Sequence, residues 1–363
     1  MKIAIDVSSV IYGTGVSVYT KNLVENLLKI DKENEYILFG GSLRRSGEIK
    51  EWLTTFKGQA FKASFEGRVF LIPPTISDII WNRFHVLPIE KLIGKIDVFH
   101  SSDWTQPPSG AFEVTTIHDL VPLKYPKLSH SKIIAVHKRR FKYIKKEVDK
   151  IIVPSQTTKD DLAKLGIKED KITVIPEAPD SIYKPTKVKE INALKKRLRI
   201  GSRYVLAVGI TPRKNLERTI EAFEKVKSGG MKLAVVGEPK TKIYEKRGVI
   251  YLGYISKKEM PTLYSGAEVL VYPSLYEGFG LPILEAFTCK VPVVTSNMGS
   301  MKEVAGKATV LVDPYSVDSI AKGIEKAIGN RKDLVKKGLT RVKYFSWEKT
   351  AEMTLEVYKG LRY

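Results

Sequence analysis

At 363 residues the chain exceeds one ordinary domain, and a 43% hydrophobic content supports two real cores. The single cysteine, Cys289, excludes an internal disulfide, the five histidines lack zinc-like spacing, and no apolar run approaches the roughly 20 residues of a membrane span. The balance of 61 Lys+Arg against 40 Asp+Glu, a formal +21, favours anionic partners: nucleic acid, lipid headgroups or phosphorylated substrates. It is also the lysine-rich surface of heat-adapted proteins.

In chain order, residues 2–7 read as a short buried strand whose early carboxylate, Asp6, argues against a secretory leader. A loop with Gly13 and Gly15 leads into an amphipathic helix from about Ser17, with Tyr19, Leu23 and Leu27 on one face. A second strand covers 36–39, and 42–96 gives little signal beyond a candidate strand at 70–72. Strands follow at 97–100 and 114–117, then a long helix over 131–150. Its apolar face is Ile134, Phe141, Ile144 and Val148, and its basic residues, Arg139 and Arg140 included, form an outward stripe. A strand at 151–154, a helix over 156–165 capped by Ser155, and a strand at 172–176 complete the first half.

Pro179 and Pro185 mark a linker within 177–190. The second half repeats the alternation, with strands at 204–209, 232–237, 249–253, 269–272 and 292–295, and helices at 188–198, 216–226, 257–264, 282–288 and 317–328. Alternating strands and helices imply parallel sheets with right-handed crossovers and ligands at strand C-terminal ends. The tail from Ser346 reads as a capped amphipathic helix.

The most informative segment is Glu277-Gly278-Phe279-Gly280-Leu281-Pro282-Ile283-Leu284-Glu285. It follows a buried strand and opens a helix, with Pro282 suited to the first helical position and backbone amides at 279–283 turned towards an anion or hydroxyls. This string resembles the Glu-x7-Glu element of the retaining, GT-B-fold glycosyltransferases (group 1, family 4 type). The resemblance implies an α/β fold of two Rossmann-like, doubly wound parallel-sheet domains facing a central cleft. It also implies a first glutamate and turn amides on the donor sugar (Glu277, Phe279, Gly280, Leu281) and a second glutamate on the ribose (Glu285).

Further segments match the same family. Gly209-Ile210-Thr211-Pro212-Arg213-Lys214 resembles its diphosphate-binding turn, although Ile210 stands where many members carry arginine. Fixed cations stabilise the negative charge that grows on a departing diphosphate, a role that falls to Arg213 and Lys214. His118, at a strand end, matches the cleft histidine of the reaction centre, and Gly15 the flexible loop near the donor phosphates. Tyr254 and Ile255 match the segment that meets the nucleotide base.

The expected domains are 1–180 on the acceptor side, 181–345 for the nucleotide sugar, and a helix over 346–363 that crosses back in the family. The expected activity is metal-independent, retaining transfer of a hexose, mannose favoured, to a glycan or lipid-linked acceptor in cell-surface polysaccharide or glycolipid synthesis. No cofactor is expected beyond the donor substrate, GDP-mannose or a UDP-sugar such as UDP-glucose. The expected location is cytoplasmic, peripheral on an anionic membrane face. The +21 charge also keeps open a nucleic-acid-binding protein, but no nucleic-acid module is recognisable.

Overall fold

The computed structural model describes residues 1–226, 229–238 and 246–360. It divides into two compact units, Met1–Glu177 with the segment from Ser346, and Ala178–Phe345.

In the first unit, β1 (Lys2–Asp6), β2 (Glu35–Gly41), β3 (Ser64–Phe70), β4 (Val98–Ser101), β5 (Phe112–Thr116), β6 (Lys150–Val153) and β7 (Ile172–Val174) form a seven-stranded parallel sheet, in the order β3-β2-β1-β4-β5-β6-β7. The central strands are buried because helices cover both faces, which is why they read as continuous apolar runs. Strand order reverses between β1 and β4, where Ile5 lies opposite His100.

Three expectations change here. The first helix is Gly15–Ile30, starting earlier than read, because Thr14 and Ser17 form a reciprocal capping box. Residues 42–96 contain a helix at Ser46–Thr54, strand β3 and a wide-turn helix at Asp78–Phe84. β3 ends at Phe70, so the strand lies N-terminal to the expected 70–72; it is an edge strand with three of its seven residues exposed and none buried, so no apolar run announces it. The long helix stops at Lys146, because Asp149 pairs with the backbone of Glu113 through both its amide and its carboxylate and sets Lys150 at the start of β6.

That helix also corrects the expected basic stripe. Arg140 is only 3% exposed, donates to Thr115 Oγ1 at 2.6 Å and pairs with Asp103 at 3.6 Å. Arg139 is held by Asp78 at 2.5 Å. The outward charge is carried by lysines, among them Lys138, Lys142 and Lys146.

In the second unit, β8 (Tyr204–Val208), β9 (Lys232–Val236), β10 (Val249–Gly253), β11 (Val269–Tyr272), β12 (Val293–Ser296) and β13 (Val310–Val312) form a parallel sheet of six strands among the described residues, in the order β10-β9-β8-β11-β12-β13. Here the order reverses between β8 and β11, with Leu206 opposite Leu270. Leu206, Leu233 and Leu270 are fully buried; each such side chain contributes about 1.5–3 kcal/mol by leaving water. Helices Gly299–Ala305 and Arg331–Val342 were not foreseen.

The terminal helix, Trp347–Lys359, is capped by Ser346 and packs on Gly15–Ile30 of the first unit. Tyr358 and His100 Nδ1 share a hydrogen bond of 2.6 Å, and Thr350 donates to Pro176 O at 2.7 Å. The residues after 360 lie outside the described ones.

Candidate functional site

In the second unit the turn after β8 and the turn after β11 flank the switch point of the sheet, where doubly wound folds place their ligands. Gly209 has φ +88°, and a Cβ there would press on the Lys214 side chain at 3.0 Å, so glycine is required for this tight exit. Thr211 then opens one short helical turn, Pro212–Lys214, and Leu275 N donates to Arg213 O at 2.8 Å, fastening the two turns together.

Their side chains converge. Arg213 forms a short ion pair with Glu277, and Lys214 Nζ lies 2.6 Å from Glu277 Oε1. Lys214 also reaches the Tyr272 hydroxyl and sits 4.4 Å from the centre of that ring. Glu277 is fixed through its backbone as well, since Ser300 Oγ donates to Glu277 O at 2.7 Å. Burial alone would raise the Glu277 carboxyl, but Lys214 and Arg213 outweigh it and hold the group below the usual carboxylate range. The result is two cations and one anion, tightly packed, with the cations 24% and 15% exposed and the carboxylate 9%.

Helix Leu281–Thr288 begins behind this cluster. Gly280 stands just before it at φ +119°, which places Pro282 second in the helix rather than first. Pro282 has no N–H and the Ile283 amide donates to Gly280 O, so the donors at this helix start narrow from 279–283 to Phe279, Gly280 and Leu281. The Phe279 ring is buried edge-on against Phe345, and only its backbone is suited to a ligand. One turn on, Glu285 accepts from the Tyr264 hydroxyl at 2.7 Å, and burial holds its carboxyl above the usual range despite the Tyr264 and Tyr183 hydroxyls. Past the end of β10, Tyr254 is 75% exposed, whereas Ile255 is core.

In the first unit, His118 follows β5. Its Nδ1 lies 2.9 Å from Glu177 Oε1, with the two side chains 13% and 7% exposed. The Tyr19 ring meets the imidazole edge-on at 4.5 Å. Burial opposes the imidazolium, yet the hydrogen bond and charge of Glu177, with Asp103 and Asp119, move His118 above its ordinary value. Gly15 is exposed in the first turn of its helix, and a Cβ there would meet nothing within 4 Å, so the chain itself does not demand glycine.

Sequence reasoning missed Glu177, Tyr272 and Tyr264. Glu177 lay in a segment read as linker, 59 positions from the histidine it pairs with. Tyr272 carried one usable signal, a polar group at the end of a buried strand.

Residues 13–180 match the family described as Glycosyltransferase Family 4, and residues 189–339 match Glycosyl transferases group 1. The chain is 31% identical to the O-antigen chain mannosyltransferase B of Escherichia coli over 73% of its own length and 74% of that protein. It is 25% identical to an uncharacterized glycosyltransferase of Methanocaldococcus jannaschii over 95% and 94% of the two chains. Among solved structures, the HepE protein of Anabaena in complex with UDP and glucose superposes with a TM-score of 0.70 at 16% identity, covering 99% of this chain and all of that one. Two parallel-sheet Rossmann-like units, the paired matches and these relatives lead to one conclusion: the chain is a glycosyltransferase that belongs to the group 1 family of the GT-B fold.

Proposed function

We propose that this glycosyltransferase moves a hexose, mannose in the first instance, from a nucleoside-diphosphate sugar to a growing glycan or lipid-linked acceptor, with retention at the anomeric carbon. The observation that carries this reading is the meeting of Arg213, Lys214 and Glu277 at the sheet's switch point. As the anomeric carbon's bond to the diphosphate breaks and its bond to the acceptor oxygen forms, the two cations stabilise the charge on the departing phosphate. The leaving phosphate oxygen takes the acceptor's proton, so no enzymatic nucleophile is needed. Phe279, Gly280 and Leu281 offer backbone donors, Glu285 the ribose contact, Tyr254 a face for the base, and His118 and Gly15 serve the sugar and phosphates. The relative that is an O-antigen chain mannosyltransferase supports mannose as the transferred sugar and a polysaccharide product, and GDP-mannose is the donor to try first. The HepE structures, one with UDP and glucose and one with UDP-glucose, favour UDP-glucose as the second reading of the donor.

The test is a panel of radiolabelled sugar nucleotides, followed first as slow hydrolysis without acceptor. One donor should turn over clearly faster than the rest, and turnover should persist in excess EDTA, because side chains supply the positive charge. Loss in EDTA with recovery on adding Mn²⁺ or Mg²⁺ would overturn the metal-free scheme.

A lipid-linked acceptor would bring the enzyme to an anionic membrane surface. No helix among the described residues is long and apolar enough to cross a membrane. The first unit does expose Lys138, Lys142 and Lys146 along one helix, with Phe84 and Val86 also exposed in that unit. Each such cation is worth about 1 kcal/mol near anionic lipid, so the triple change to Glu should weaken vesicle binding by about 100-fold or more. Salt should weaken it too. Equal binding to neutral and anionic vesicles would leave the heat-adaptation account of the charge.

A further inference from the structure

Glu177 is a buried carboxylate that pairs with a histidine ring, and no feature of the transfer scheme above uses it. Its Oε1 accepts from His118 Nδ1–H at 2.9 Å, which turns Nε2 away from the pair and leaves it a proton to donate only while the ring is the imidazolium. His118 lines a small cavity of the first unit together with Asp6, Tyr19, Asp103 and Thr116. The ring is held on a second side by Tyr19, whose own hydroxyl is bonded to Thr116 Oγ1 at 3.1 Å.

We infer that Glu177 is a positioning residue for the transfer reaction, holding His118 as the imidazolium so that Nε2–H is presented as a hydrogen-bond donor to an oxygen of the transferred sugar. The inference rests on the glycosyl-transfer reading above. The charge around the ring agrees with it. Asp103 and Asp119 add to the Glu177 field, while Arg140 lies 3.6 Å from Asp103 and draws off part of that charge. The neighbouring imidazole of His100 is pushed down to about 3 by burial, by His118 and by Arg140, so it stays neutral and does not compete as a cation. The Gly15–Ile30 helix contributes Tyr19, uncharged, and Trp347 of the terminal helix lies against Tyr19 at 5.8 Å.

His118 is raised in the folded protein, so its protonated form persists to higher pH than in an ordinary histidine, and withdrawing the carboxylate must pull its midpoint down. Glu177→Gln keeps an oxygen for Nδ1–H but removes the charge. The experiment follows His118 in the full chain by NMR of histidine-labelled protein, assigned with His118→Gln, alongside the pH profiles of kcat and KM.

We expect Glu177→Gln to lower the His118 midpoint and to move the alkaline limb of kcat in the same direction. At about pH 8, kcat should fall about tenfold, with donor KM within about twofold, and Glu177→Asp should recover part of the loss. An unmoved His118 midpoint, or a kcat loss equal at every pH and not recovered by Asp, would overturn the inference. Should Glu177→Gln not fold, Glu177→Asp, which keeps the charge but draws it back from the ring, should lower the His118 midpoint by a smaller step and move the kcat limb with it, and an unmoved midpoint there overturns the inference. If the wild type turns over no sugar nucleotide while the His118 midpoint still moves in the variant, the transfer reading fails and the pairing stands.

Discussion

Arg213→Ala is expected to weaken binding of GDP or UDP, whichever the donor carries, by about 10- to 150-fold and to lower turnover with it, since a hydrogen bond to a charged group is worth roughly 1.5–3 kcal/mol. The guanidinium stands at the switch point between β8 and β11 and is 24% exposed, open enough to meet a ligand and buried enough for its charge to escape full screening by water. The variant should fold, because Lys214 remains 2.6 Å from Glu277 and keeps that carboxylate paired. Isothermal titration with both nucleotides, beside a thermal melt, separates the two effects. Unchanged affinity for both GDP and UDP in a folded variant would remove Arg213 from the donor site.

Glu277→Gln should behave differently in three measurements. Turnover should fall by about tenfold or more, because a group that touches the transferring sugar can act in the transition state alone. Affinity for the free nucleotide should hold or rise, since the carboxylate that now neutralises Arg213 and Lys214 no longer competes with the diphosphate.

Stability should drop by on the order of 2 kcal/mol, less than the roughly 3–5 kcal/mol of a fully buried broken pair, because both cations keep some contact with water. The pH dependence has a definite sign. The folded-state carboxyl is depressed below its ordinary 4.5, so its contribution is present above that pH and is lost as pH falls through the lower folded value. The gap in stability between wild type and Glu277→Gln should therefore close on acidification. Glu285→Gln, by contrast, should weaken free-nucleotide binding and leave the catalytic rate constant nearly intact. If Glu277→Gln loses the free nucleotide and Glu285→Gln loses only rate, the donor has been placed backwards.

Much of the fold was written locally. The strands around 204–208, 249–253 and 269–272 are apolar runs bounded by Gly, Pro or polar residues, and the caps at Ser155 and Ser346 are one-residue signals. Such patterns report how a segment meets its immediate surroundings. They fixed the α/β class of fold and the strand–turn–helix setting of residues 269–288, whereas the roles of the two glutamates came from the resemblance of residues 277–285 to the family's motif.

They were blind where a segment's surroundings are not those its pattern suggests. β3 is an exposed edge strand without an apolar run, and Arg140 sits among basic neighbours yet is buried beneath its helix against Thr115 and Asp103.

What only tertiary structure decided is which distant groups share a low-dielectric space. Lys214 and Tyr272 are 58 positions apart, Arg213 and Glu277 are 64, and His118 and Glu177 are 59. Their meetings depend on strand order. β11 pairs with β8, which brings the turns bearing Glu277 and the cation pair side by side. β5, β6 and β7 lie in succession, which carries Glu177, just past β7, back towards His118. No period of two or 3.6 residues encodes that order, because it is set by which buried faces pack together. The direction in which each carboxylate and imidazole titrates follows from those meetings, so the electrostatics of the site belong to the fold, while the identity of its parts belongs to the sequence.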